Sequence, residues 1–212
     1  MRTKLSINAN KIELPISEEK AKEAVHTILK WIGENPEREG LIDTPQRVIN
    51  SFKEHFSGYK EDPIQILKKT FTEIAGYQDM VLLKDIKICS HCEHHIAPIY
   101  GIAHIAYYPN TRVVGISKLA RVAEIYSKRL QIQERLTAEI ANAINFVLKP
   151  KGVAVQIEAN HTCINNRGIH QKDVKMSTHT LLGCFKNNYE ISKRFFQLVC
   201  LSPKRDSRDY TI

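Results

Sequence analysis

The stretch Cys89-Ser-His-Cys-Glu-His-His95 constrains the folding of this chain more than any other. Thiols, imidazoles and a carboxylate crowd the end of an apolar run, where buried polar groups need a shared partner. Cys92 and His95 stand in Cys-x-x-His spacing, which lets both reach one ion if the strand ends in a turn. A soft thiolate beside imidazole suits Zn²⁺. The plain alternative is a reduced thiol pair beside solvated histidines. Far downstream, Val153 to Cys163 alternates as a strand, so Val153, Val155, Ile157, Ala159, His161 and Cys163 share one face. His161 and Cys163 then emerge where an apolar face gives way to a site, and two remote segments must converge.

Cys92, His95 and Cys163 as ligands leave a fourth position open, the pattern of catalytic zinc. His94 and His161 would remain as acid or base groups near neutral pH. A fourth ligand from Cys89 would instead close the shell and leave the centre inert. Five cysteines form an odd set, and a secretory leader is absent from the first residues, so disulfides are not expected. The longest nearly uncharged run, Ile96 to Pro109, is broken by Pro98 and Gly101 and falls short of the ~18 residues a membrane span needs. By elimination the expected location is the cytoplasm.

The rest of the chain alternates between helical and strand texture. The first sixteen residues read as a loosely held arm. Ser17 caps a helix with Glu18 and Glu19 in its first turn, and Thr44-Pro45 opens a second. A short helical stretch follows Asp62-Pro63. Val81 to Ser90 and Tyr100 to Tyr108 read as strands, and Ser117 caps a helix carrying Leu119, Val122, Ala123 and Tyr126. Leu136, Ile140, Ala143, Ile144 and Val147 mark another. Met176 to Phe185 reads as a strand, Tyr189 to Cys200 as a closing helix, and Ser202 to Ile212 as a charged, frayed tail. Helices followed by strands with a helical pair between them predict an α+β domain with a mainly antiparallel sheet.

The net charge of +8 favours anionic company. Gly115-Ile-Ser117-Lys118-Leu-Ala-Arg121 concentrates it, placing a flexible residue and a cap ahead of a helix whose free N–H groups suit phosphate. Lys118 and Arg121 sit at the unfavourable end of the helix dipole, at a cost of about 0.3–1 kcal/mol, so an anion is expected there. Arg167, just beyond Cys163, adds a guanidinium suited to polyphosphate oxygens. Gln133-Glu134 opens the next helix, and a carboxylate there could accept two N–H bonds from a guanine edge. His26, His55, His104, His170 and His179 read as structural or exposed.

Taken together, these segments resemble the zinc-dependent GTP cyclohydrolase I family. The resemblance rests on Pro36-Glu-Arg-Glu-Gly-Leu41 with Thr44-Pro-Gln-Arg-Val48, Ser90-His-Cys-Glu-His-His95, and Gly115-Ile-Ser-Lys-Leu-Ala-Arg121. Gln131-Ile-Gln-Glu-Arg-Leu-Thr137, His161-Thr-Cys163 and Arg167-Gly168 complete it, in the family's order. It implies a tunnelling fold (T-fold): a four-stranded antiparallel sheet with two helices on one face, preceded by N-terminal helices. Residues 1–75 would form the arm and helices, and 76–212 the catalytic domain. It further implies a homodecamer of two pentamers with active sites between subunits, and conversion of GTP to 7,8-dihydroneopterin triphosphate and formate.

Position by position, Cys92, His95 and Cys163 match the family's zinc ligands, and the metal activates water for attack at purine C8. His161 matches the histidine that protonates N7, and His94 the one that assists proton transfers around the ribose. Ser117, Lys118, Arg121 and Arg167 match the positions holding ribose and triphosphate, and Gln133 with Glu134 the guanine-recognition site. The chain departs from the family at Asn50, where a lysine is frequent, at Asn165-Asn166, and in offering Cys89 and His91 as extra potential ligands. No nucleic acid or membrane partner is expected. A zinc deaminase would need a downstream Pro-Cys-x-x-Cys that is missing. A nucleic-acid zinc module would want its ligand pairs close together, and a thiol–disulfide enzyme would want Cys89 and Cys92 opening a helix.

Overall fold

The computed structural model describes residues 16–72 and 76–201; the expected N-terminal arm, apart from its last residue, and the charged tail lie outside them. Helix α1 (Glu18–Trp31) starts where Ser17 accepts a bond from the Lys20 N–H, with Glu18 and Glu19 in the first turn. Helix α2 (Thr44–His55) has its cap one residue earlier than the sequence suggests, at Asp43, which makes no side-chain cap bond. Glu18 ties the two together by accepting from Lys53 Nζ at 2.6 Å and Gln46 Nε2 at 3.0 Å. A 3₁₀ turn (Ser57–Lys60) and α3 (Pro63–Leu67) follow, the latter capped by Asp62 accepting from the Ile64 N–H.

The remaining elements are β1 (Thr70–Phe71), β2 (Val81–Cys92), β3 (Pro98–Tyr108), β4 (Val113–Val114), α4 (Ile116–Ser127), β5 (Leu130–Gln131) and α5 (Gln133–Leu148). After these come β6 (Gly152–His161), α6 (Thr162–Asn165), β7 (Met176–Gly183), α7 (Cys184–Asn187) and α8 (Tyr189–Cys200). The four long strands β2, β3, β6 and β7 form consecutive antiparallel pairs. Two-residue β5 adds a parallel edge at His91 and Cys92, and β1 pairs with β4 as a separate ribbon. None of these two-residue strands is legible in the sequence, because pairs so short carry no periodicity.

Helices α4 and α5 cover one face of the sheet. Leu119 and Val122 of α4, with Leu136, Ile140 and Ile144 of α5, pack against Ile88, Ala103, Ile105, Val155 and Ile157. All but Ile88 are fully buried, and each such Leu, Ile or Val side chain contributes about 1.5–3 kcal/mol. On the opposite face, Phe185, Phe195 and Val199 cover Ala106 and Ala154. This is the expected α+β T-fold, four antiparallel strands carrying two helices on one face.

Two further local expectations change. Ser117 is not a cap: α4 begins at Ile116 with Gly115 at the cap position, because the Lys118 N–H already closes a turn onto the Gly115 carbonyl at 2.8 Å. Strand β6 ends at His161, so Cys163 leaves the strand face and sits in the helical turn α6. Thr162 drives that change of direction by donating from Oγ1 to the Pro98 carbonyl at 2.7 Å.

Candidate metal centre and surrounding site

The metal-binding turn follows directly from the end of β2. Cys92 N–H donates to the Ala97 carbonyl, and Ile96 N–H folds back to the Cys92 carbonyl, both at 2.8 Å. Ile96 takes a left-handed backbone, φ 54°. That conformation in a β-branched residue costs of order 1–3 kcal/mol, and it sits beside His95. The tight turn brings His95 Nδ1 to 3.8 Å from Cys92 Sγ.

From the other segment, α6 delivers Cys163. Ligand atoms of Cys92, His95 and Cys163 all lie within 4.8 Å of one another. Tetrahedral zinc with bonds of ~2.3 Å to sulfur and ~2.0 Å to nitrogen places its ligands roughly 3.6–3.8 Å apart, so this set fits with little adjustment. Burial and then the adjacent Cys92 sulfur push the Cys163 thiol up from its ordinary range, while the Arg167 charge opposes them. Without an ion the shift keeps this thiol neutral; the convergence of two sulfurs and an imidazole nitrogen is the donor set a divalent zinc-like cation would take, displacing the thiol protons.

The extra potential ligands go elsewhere. His91 is buried against His55 and Phe56, with ring centroids at 4.6 and 5.3 Å. Cys89 faces a different cavity. His94 is exposed, its Nδ1 3.8 Å from Cys92 Sγ and its Nε2 3.8 Å from Glu93 Oε1.

Around the thiols stand other residues expected from the sequence. His161 Nε2 lies 2.8 Å from Gln133 Oε1. Burial lowers the His161 pKa, and the Glu134 carboxylate is close enough to oppose that shift. Gln133 is buried, while Glu134 beside it and Arg167 are exposed. Glu93 and Arg135 form an ion pair at 2.6 Å whose part in the site was not apparent from the sequence. An acidic residue inside the metal motif was the available signal.

Ser117 and Arg121 do not join this group. With Lys128 they line a cavity of about 410 Å³ whose far wall is β2 and β3, including Lys87, Cys89 and Tyr100. Helix α4 ends near the metal turn, since β5, just after it, pairs with His91 and Cys92. Its start, carrying Ser117 and Lys118, lies about 15 Å back along the helix axis. Within one chain, Ser117 and Lys118 at the start of α4 are therefore held away from the metal cluster.

The family model described as GTP cyclohydrolase I matches residues 21–200. GTP cyclohydrolase 1 of Maricaulis maris (strain MCS10) is 51% identical over 183 residues, covering 86% of this chain and 89% of the relative. That of Pelagibacter ubique (strain HTCC1062) is 53% identical over 184 residues, covering 87% and 91%. Among solved structures, the apo archaeosine synthase QueF-Like overlaps 50% of this chain and 96% of its own at 17% identity and a TM-score of 0.43, too distant to bear on the assignment. With the convergent Cys-His-Cys cluster on this sheet, the match over most of its length means that the chain belongs to the GTP cyclohydrolase I family.

Proposed function

We propose that the chain hydrolytically opens the imidazole ring of GTP, releases formate and yields 7,8-dihydroneopterin triphosphate, the first step of folate or pterin biosynthesis. Family membership supports the reaction, and the mutual approach of Cys92, His95 and Cys163 is the observation that carries its mechanism. In this reading those three residues hold Zn²⁺. When bound, the ion supplies a Lewis acid that lowers the pKa of water toward ~7, so attack at purine C8 proceeds at neutral pH.

The protein's own groups do the remaining work. Glu134 accepts the N–H groups of the guanine edge, with Gln133 buried behind it. His161 protonates N7, withdrawing electrons from the bond to C8 as the ring opens. His94, exposed beside the cluster, moves protons around the ribose during rearrangement. Arg167 reaches the triphosphate from the metal side, and Ser117, Lys118 and Arg121 hold ribose and phosphates through the first turn of α4.

The placement of the two halves within one chain supports a homo-oligomer with each site completed by a neighbouring copy, and the family resemblance makes it a decamer of two pentamers. A cytoplasmic location accords with the five free cysteines. Among the described residues no helix is long and apolar enough to cross a membrane.

Purified protein incubated with GTP should release formate and, after oxidation, a fluorescent pterin. Zinc removal or Cys163→Ala should abolish both. Zinc-loaded protein that yields no formate contradicts the assignment.

A further inference from the structure

We infer that Gln133 is a positioning residue that locks His161 in one orientation and tautomer, and is not itself a contact to guanine. This rests on the reaction proposed above and deepens its account of one side chain. Gln133 opens α5 yet is only 1% exposed. Its Nε2 lies 3.1 Å from the Ile157 carbonyl and 3.0 Å from both the Met176 carbonyl and Thr178 Oγ1. Backbone carbonyls only accept, so this end of the amide must be the NH₂ group. The opposite end is therefore the oxygen.

That oxygen faces His161 Nε2 at 2.8 Å, so the imidazole must donate there. The Nε2–H tautomer of the neutral ring follows, leaving Nδ1 as the nitrogen that takes up a proton from solvent and, as imidazolium, passes it to substrate.

Two threonines hold the amide in place. Thr137 Oγ1 donates to the Gln133 backbone carbonyl at 2.7 Å and lies 2.7 Å from Thr178 Oγ1. With its own hydrogen committed, Thr137 accepts from Thr178, and Thr178 shares the two Gln133 NH₂ hydrogens with the Ile157 and Met176 carbonyls. The ring of bonds closes with one direction throughout. Turning the Gln133 amide over would point its oxygen at two carbonyl oxygens and its NH₂ away from them. No donor of Gln133 is left for a ligand, and burial keeps guanine away from its side chain.

The test uses zinc-loaded, assembled protein whose wild type releases formate, a control that separates failure of this inference from failure of the reaction. In Gln133→Met the side chain keeps its length but loses the acceptor. With zinc content and thermal midpoint read alongside, kcat should fall about 10- to 1,000-fold, a part of the ~100- to 10,000-fold that acid–base groups contribute, with KM within about threefold of wild type. A raised KM at unchanged kcat means that Gln133 touches guanine, and unchanged constants mean that it does neither; either overturns the inference. Independently of any variant's folding, ¹⁵N NMR of histidine-labelled wild type above pH 8, with His161 assigned by loss of its signal in His161→Asn, should show the Nε2–H tautomer. An Nδ1–H tautomer overturns the inference outright.

Discussion

Arg135 Nη2 donates to Glu93 Oε2 at 2.6 Å, linking the start of α5 to the metal-binding turn. The same guanidinium donates to the Leu130 carbonyl at 2.8 Å and to Gln131 Oε1 at 3.0 Å. Gln131 is buried, its Nε2 donating to the Tyr126 carbonyl and to Glu139. Glu93 N–H donates to the Gln131 carbonyl as well. The turn carrying Cys92 and His95 is thus pinned to the segment carrying Gln133 and Glu134. Partners one layer behind metal ligands commonly set affinity by ~10–100-fold. Arg135→Met should weaken zinc binding within that range, measured by competition with a chromophoric chelator. Wild-type affinity would mean that the pair is a surface contact only.

Arg121 lines the cavity under α4 while Cys163 belongs to the metal cluster, and sites shared between copies predict complementation between inactive chains. Arg121→Ala and Cys163→Ala homo-oligomers should each be nearly inactive. Co-assembled at equal ratio, they should recover about a quarter of wild-type activity, because a quarter of the sites would draw both halves from intact copies. No recovery in verified mixed assemblies would mean that each chain builds its own site.

Arg194 grips Asp79 through two bonds, at 2.8 and 2.9 Å, tying α8 to the approach to β2. The guanidinium holds the Asp79 carboxyl down at about 2, helped by the Met80 N–H. A depressed carboxylate contributes stability above its unfolded pKa, near 4, and loses it as pH falls through the folded value. Docking of α8 should therefore loosen between about pH 4 and pH 2, read by hydrogen exchange along Tyr189–Cys200. Asp79→Asn should flatten that dependence, and an unchanged acid limb would contradict the linkage.

Ile157 is fully buried between α5 and the sheet, with its carbonyl bonded to Gln133. Ile157→Ala should cost about 2–5 kcal/mol, measured by denaturant unfolding. A cost below ~1 kcal/mol would mean that this face repacks freely.

Much of this was legible because the determining signals are local. Ser17 bonds its own helix start, and Cys92 and His95 need only one turn to meet. What was not legible depends on tertiary placement. The alternation from Val153 suggested that Cys163 shares a strand face with His161, but Thr162 finds the Pro98 carbonyl and turns the chain out of the strand. Ser117 and Arg121 were legible as an anion stretch, but their placement on the cavity under α4 depends on how that helix lies against β2 and β3. Gln133 and Glu134 are adjacent in sequence and opposite in burial, a distinction only the packing of α5 on β6 and β7 creates.

X-ray absorption at the zinc edge tests the central claim most directly. Zinc-replete protein should show two sulfurs and one imidazole nitrogen from the chain, with one further light ligand exchangeable with solvent. Three sulfurs, a shell filled entirely by side chains, or protein that takes up no zinc would contradict it.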